Sequence, residues 1–75
     1  MDANKDYYAI LGVHHLAEPF MIKVARDALA KKYHPDKFVG SKEEANERMT
    51  LINEAFEVLS DPGKRKEYDD LRGAK

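Results

Sequence analysis

The sequence contains no cysteine among its 75 residues, so neither a disulfide nor a cysteine nucleophile is available to it. This absence fits a reducing compartment and leaves helix packing as the source of stability for so small a chain. No apolar run approaches the roughly 18 residues that indicate a membrane span. The first residues, MDANKDYY, lack the apolar core of a signal peptide. We therefore expect a small soluble domain in the cytoplasm.

The net charge is close to zero, at −1, although 36% of the residues are charged. The charges are unevenly distributed. Positions 18–34 are mostly basic, with Lys23, Arg26, Lys31 and Lys32 against Glu18 and Asp27. Positions 41–59 are mostly acidic, with Glu43, Glu44, Glu47, Glu54 and Glu57 against Lys42 and Arg48. This asymmetry is typical of a face that steers a charged partner, or of two neighbouring helices that attract each other.

Apolar residues recur at helical spacing in the two longest segments. In the first, the spacings of three and four involve Ile22, Ala25, Leu29 and Tyr33. In the second, they involve Ala45, Met49, Ile52, Phe56 and Leu59. Each series forms one apolar face on a helix. With two shorter segments, the sequence predicts four helices at about 6–11, 19–34, 42–59 and 62–71.

Local signals mark the ends of these helices. Gly12 suits the position just past a helix end, and Pro19 suits a first helical position, where a missing N–H costs nothing. Pro35 disfavours the α conformation for the residue before it, so the second helix should end at about position 34 or one residue earlier. The S-x-x-E pattern from Ser41 predicts a capping box at the start of the third helix. Asp61, followed by a proline, is the predicted N-cap of the fourth helix.

We expect an all-α fold in which the two long helices form an antiparallel hairpin. The loop at about 34–41 then becomes the exposed tip of that hairpin. The length favours a single domain over 1–75, monomeric in isolation. Because Met1 lies so close to the first helix, the chain is expected to begin at a natural start and to be truncated on its C-terminal side.

The stretch KKYHPDKF, positions 31–38, contains the most informative residues. We do not expect this stretch to be catalytic. The chain has no cysteine and only two serines, Ser41 and Ser60, and a domain of this size has little room for a cleft. A metal site is not expected either. His14 and His15 are adjacent in a loop, and no further ligands at metal spacing accompany them or His34. No cofactor is predicted.

Two further interpretations of this stretch compete with a protein-binding role. Nucleic-acid binding has weak support, because net charge is near zero and Asp27 should lie on the outer surface of the basic helix. A purely structural role is the other alternative: Pro35 stops the helix, and Asp36 caps a turn by accepting backbone N–H bonds. That role explains neither His34 nor the flanking lysines.

Three blocks of the sequence resemble one known family. They are DYYAILGV (6–13), IKVARDALAKKYHPDK (22–37) and INEAFEVLSDPGKRKEYD (52–69). In order and spacing they are similar to the J domain of DnaJ-type co-chaperones. The resemblance implies a four-helix domain that binds the ATPase part of a DnaK-type chaperone and accelerates ATP hydrolysis there. The J domain itself is not an enzyme.

The resemblance also implies the site residues. His34, Pro35 and Asp36 match the signature that triggers hydrolysis in the partner. The expected docking surface comprises Lys23, Arg26, Lys31 and Lys37. A J-like scaffold module with weak or no stimulation of the ATPase is the alternative function.

The sequence departs from the family pattern on the second helix. Arg26-Asp27-Ala28 replaces a frequent aromatic residue followed by two basic ones, so the face is less positive. Asp27 is expected to pair with Lys23 or Lys31, each four residues away.

Phe20 and Val24 are the second departure, because at 100° per residue they fall opposite the core stripe. Isolated exposed apolar side chains are ordinary. The alternative hypothesis is a second docking patch, extended by Met21, for another segment of the full-length protein or for a dedicated partner.

Overall fold

The structure is a computed structural model that describes residues 1–73 as an assembly of four α-helices. They are α1 (Tyr7–Leu11), α2 (Pro19–Lys32), α3 (Lys42–Leu59) and α4 (Pro62–Arg72). Within these residues there is no β-strand, which confirms the all-α prediction. The last two positions of the predicted domain lie outside the described residues. No helix within positions 1–73 is both long enough and apolar enough to cross a membrane.

Short-range chemistry determines most of the helix ends. The side chains of Asp6, Ser41 and Asp61 each accept backbone N–H groups of the first turn of the following helix. Gly12 ends α1 with φ of 69°, a left-handed conformation that side chains with a Cβ rarely adopt. Such caps satisfy the backbone groups that helix termini leave unpaired. The helix boundaries therefore depend on contacts between residues close in sequence.

The prediction that α2 extends to position 34 is wrong by two residues. Its last helical residue is Lys32, and Tyr33 is the C-cap, whose N–H still bonds the carbonyl of Leu29 at 2.9 Å. Pro35 excludes His34 from the helix by steric clash, and the residue before His34 then becomes the half-helical end. By a smaller margin, α1 begins and α4 ends one residue later than predicted.

Contacts between α2 and α3 show that the two helices run antiparallel. The guanidinium of Arg26, at the middle of α2, lies 4.6 Å from the ring centre of Phe56 in the last turn of α3. The end of α2 meets the first half of α3, where Arg48 lies 6.0 Å from the ring of Tyr33. The predicted apolar faces meet between the helices. The buried core contains Tyr7, Tyr8, Leu11, Ala17, Ile22, Ile52, Ala55, Val58, Leu59 and Tyr68.

Two tyrosines fasten α1 to α4 at the base of this hairpin. The rings of Tyr7 and Tyr68 are fully buried and their centres lie 4.7 Å apart. The Tyr68 hydroxyl accepts the N–H of Tyr7 at 2.9 Å and donates to the carbonyl of Lys5. Arg72 donates to the carbonyls of Ala3 and Lys5. The N-terminal segment is therefore held against α4, and the α2–α3 loop projects from a braced base.

A small polar network joins the same segment to α3. The Tyr7 hydroxyl donates to the carboxylate of Glu54, which also accepts from the Lys5 ammonium at 3.2 Å. The Tyr7 hydrogen bond and the neighbouring Lys5 charge lower the pKa of Glu54. Burial, reinforced by the bond to Glu54, raises the pKa of Tyr7 to about 12. The network thus favours a charged Glu54 beside a neutral Tyr7.

This network predicts a pH dependence of stability that depends on Glu54. Because the pKa of Glu54 is lower in the folded state, unfolding takes up a proton as the pH falls. The stabilisation is therefore present above the ordinary pKa of 4.5 and is lost as pH falls through the folded-state value. We expect Glu54→Gln to flatten this part of the pH profile of the free energy of unfolding, measured by urea denaturation. Parallel profiles for the two proteins would contradict the assignment.

Candidate functional site

The loop between α2 and α3 is folded around the backbone and ring of His34. The His34 carbonyl accepts the N–H groups of Lys37 and Phe38, each at 2.9 Å. Its Nδ1 atom accepts the N–H of Asp36 at 3.3 Å. Pro35 restricts the conformation of the residue before it and has no N–H of its own to satisfy. His34 therefore closes the turn, which gives this residue a structural role that sequence reasoning did not supply.

Asp36 does not cap the turn, so this part of the purely structural alternative is wrong. Within residues 1–73 its carboxylate accepts no backbone N–H, and its side chain is 84% exposed. The N–H groups that follow it, of Lys37 and Phe38, are bonded to the His34 carbonyl, and the Asp36 N–H is bonded to the His34 imidazole. One carboxylate oxygen lies 3.9 Å from Nδ1 of His34, whose side chain is 56% exposed. With Nδ1 accepting, the neutral imidazole carries its proton on Nε2. The loop therefore presents the Nε2–H of His34, a hydrogen-bond donor, beside the carboxylate of Asp36.

Aromatic stacking stabilises the shape of the loop. The rings of Tyr33 and Phe38 lie 5.2 Å apart at 39°. The Phe38 ring packs so closely on the backbone at position 40 that a Cβ there would collide with it, so Gly40 is required by this contact. Aromatic pairs of this kind contribute about 0.5–1.5 kcal/mol beyond their burial. The pair was not predicted from the sequence, although an aromatic residue in a polar loop five positions after Tyr33 was a usable signal.

Asp27 occupies the centre of the expected docking surface. Of its two predicted partners, it pairs with Lys23, whose ammonium lies 3.1 Å from its carboxylate, and not with Lys31. Its other oxygen lies 3.5 Å from Nε of Arg26. Both nearest cations are therefore drawn to one carboxylate. The pairs are partly exposed, so they reduce the local positive potential more than they stabilise the fold.

Arg26 is more confined than a docking residue on an open face. Its guanidinium lies on the Phe56 ring, and only 33% of its side chain is exposed. Nε is buried and, despite the nearby Asp27, has no hydrogen bond of acceptable geometry within the described residues. By contrast, Lys31 and Lys37 are exposed and form no ion pair within positions 1–73. Two of the predicted docking cations, Lys23 and Arg26, are therefore engaged by Asp27. The other two are available to a partner.

The other predicted sites do not converge with the loop. His14 and His15 lie in the α1–α2 connection, with ring centres 4.3 Å apart. Among the described residues, no group of three or more His, Cys, Asp or Glu side chains is placed to bind a metal. Two clefts lie elsewhere, one beside Asp6 and Arg72 and one beside Pro19 and Ser60. The α2–α3 loop instead exposes His34 and Asp36, where another macromolecule can contact them.

Comparison with known proteins agrees with this geometry. A family model described as the DnaJ domain matches residues 6–69, which include all four helices except the last residues of α4. Among curated relatives, the chaperone protein DnaJ of Picrophilus torridus is 61% identical over 66 residues, or 88% of this chain. The DnaJ of Caldicellulosiruptor bescii is 58% identical over 71 residues, or 95% of this chain. That of Clostridium tetani is 57% identical over 68 residues, or 91% of this chain.

The matched region is a small part of those relatives. The chain spans 18% of the length of each of the three. The similarity therefore concerns the four-helix unit with its loop. Since the family model covers most of the chain and the fold has the helices that the resemblance implied, this chain belongs to the DnaJ domain family, the J domains.

Proposed function

We propose that this domain is a co-chaperone module that binds a DnaK-type chaperone in the cytoplasm and stimulates its ATP hydrolysis, promoting client capture and protein folding. Membership of the DnaJ domain family, with His34 and Asp36 exposed on a closed turn, is the observation that supports this most directly. The domain is not itself an enzyme in this proposal. It supplies contacts, and hydrolysis occurs in the partner.

The loop can act by biasing a conformational equilibrium of the partner. A ligand shifts such an equilibrium only through a difference in affinity between two states. The imidazole of His34 and the carboxylate of Asp36 are held beside each other by the turn, so both can exchange hydrogen bonds with the chaperone at little entropic cost. The proposed effect is tighter binding to the hydrolysis-competent state of the chaperone than to its resting state.

The basic residues have a different proposed role, which is to orient the encounter. Complementary charges raise association rates and select the docking geometry more than they add affinity. Lys31 and Lys37 lie at or beside the loop and make no ion pair within the described chain, so they are the cations best placed to contact an acidic partner surface. Lys23 and Arg26 contribute less, because Asp27 already engages them.

The test is steady-state ATP hydrolysis by a purified DnaK-type chaperone titrated with this domain. We expect a saturable increase in the hydrolysis rate and no hydrolysis by the domain alone. Binding is measured in parallel by isothermal calorimetry. Absence of stimulation at concentrations that saturate binding would contradict the proposal.

A J-like scaffold with weak or no stimulation is the second candidate. The observation that favours it is the pairing of Asp27 with both Lys23 and Arg26, which weakens the positive face of α2. The same titration separates the two functions, because a scaffold binds to saturation without raising the hydrolysis rate.

A further inference from the structure

The outward face of α2 carries two large apolar side chains that the domain does not cover. Phe20 and Val24 lie one helical turn apart, and each is 63% exposed. Met21 beside them is 45% exposed. Ile22, between them in sequence, is fully buried against the core, so the exposed pair lies on the opposite side of the helix. Polar residues at these two positions would be compatible with the same packing.

The exposed pair is aligned with a cation of the proposed docking surface. Taking Ile22 as zero and about 100° per residue, Phe20 falls near 160°, Lys31 near 180° and Val24 near 200°. At about 1.5 Å rise per residue, Lys31 lies roughly 10 Å from Val24 along the axis, toward the α2–α3 loop. One line on α2 therefore runs from apolar side chains to an exposed ammonium and then to the turn that His34 closes.

The charges that flank this line are largely neutralised. Asp27 binds Lys23 at 3.1 Å and approaches Nε of Arg26 at 3.5 Å. A highly acidic partner surface would therefore find little complementary charge in the middle of α2. An apolar surface would find Phe20 and Val24 already held on a rigid helix, where burial costs little ordering entropy.

We propose that Phe20 and Val24 extend the docking surface and contact an apolar patch on the DnaK-type chaperone. The occupant is the chaperone because the pair is continuous with Lys31 and the His34 turn, which the proposed function already places against it. The matching partner surface has an apolar patch and an acidic group about 10 Å from it, opposite Lys31. This inference rests on the proposed function and makes the pair a specificity determinant for the chaperone that this domain serves.

The test compares the domain with a Phe20→Ser/Val24→Ser double variant, using a purified DnaK-type chaperone. Serine has a helix propensity close to those of phenylalanine and valine, so α2 should persist, as circular dichroism and thermal unfolding will check. We expect the half-saturating concentration for ATPase stimulation to rise roughly tenfold, because the chaperone can no longer cover part of two exposed apolar side chains. Maximal stimulation should be unchanged, since His34 and Asp36 are intact.

A control and a salt series make the result specific. Leu71→Ser removes a similarly exposed apolar side chain from α4, outside the docking surface, and should leave half-saturation unchanged. The loss of affinity for the chaperone in the double variant should persist at high salt, because salt screens contacts between charges and not apolar contacts. Calorimetric affinities are measured for the same proteins, and sedimentation velocity reports self-association of the domain.

Each outcome separates this inference from the proposed function. Wild-type affinity and half-saturation in the double variant would overturn the inference while leaving the function intact. Binding that the double variant weakens, without stimulation by the wild type, would overturn the function and support the docking role. Self-association that the double variant abolishes, with chaperone affinity unchanged, would assign the patch to a second copy of the domain and overturn the inference. A wild-type domain that does not bind the chaperone would overturn both.

Discussion

Replacing His34 with glutamine is expected to abolish stimulation of a DnaK-type ATPase while leaving the domain folded. The imidazole is more than half exposed, and its bond to the Asp36 N–H is long at 3.3 Å, so its loss should cost little stability. The two shorter turn bonds use the His34 carbonyl, which glutamine retains. Stimulation should fall to the basal hydrolysis rate, because the amide cannot reproduce the position and donor geometry of the imidazole.

Another exposed histidine provides the matched control. His15 lies in the α1–α2 connection, away from the α2–α3 loop, and His15→Gln makes the same chemical change there. We expect His15→Gln to stimulate like the wild type, and both variants to unfold within about 0.5 kcal/mol of it. Full stimulation by the folded His34→Gln domain would remove this residue from the mechanism.

Removing one hydroxyl by Tyr68→Phe is expected to produce a large loss of stability. Tyr68 is fully buried, and its hydroxyl accepts the N–H of Tyr7 and donates to the carbonyl of Lys5. Phenylalanine would leave a buried N–H without a partner, which costs about 1–3 kcal/mol. Because small domains are stable by only about 0.05–0.15 kcal/mol per residue, this is a substantial share of the total.

The stability change should be specific to the buried hydroxyl. Tyr33 is partly exposed, and within residues 1–73 its hydroxyl makes no hydrogen bond, so Tyr33→Phe is the matched control. Urea denaturation of the three proteins gives their free energies of unfolding, and similar m-values would show that the comparison is valid. If Tyr68→Phe and Tyr33→Phe were equally stable, the Tyr68 hydroxyl would not be what fastens α1 to α4.

Much of the fold was predictable because its signals are local. Ser41 and Asp61 cap helices through N–H groups two or three residues away, and Gly12 ends α1 through its own backbone conformation. The apolar series on α2 and α3 likewise depends on helix geometry alone. The loop residues His34, Pro35 and Asp36 were identified by a resemblance carried by side chains contiguous in sequence, and the family assignment is confirmed.

The arrangement of polar side chains was less predictable, because it depends on which neighbours the fold provides. Asp27 has a lysine four residues away in each direction, and sequence cannot choose between them. In the structure it pairs with Lys23 and approaches Arg26, which lies on a phenylalanine of another helix. The capping role that the structural alternative gave to Asp36 failed for a related reason, since the His34 carbonyl accepts the N–H groups of Lys37 and Phe38, which follow it.

The sequence by itself therefore determined four helices, their caps, their apolar faces and the family to which they belong. Tertiary structure alone decided that Arg26 lies on Phe56 of another helix and that Tyr68 joins α4 to the N-terminal segment. The physical reason is range. Caps and periodicity involve residues within a few positions of each other, whereas Tyr7 and Tyr68 are 61 positions apart and meet only after the helices pack.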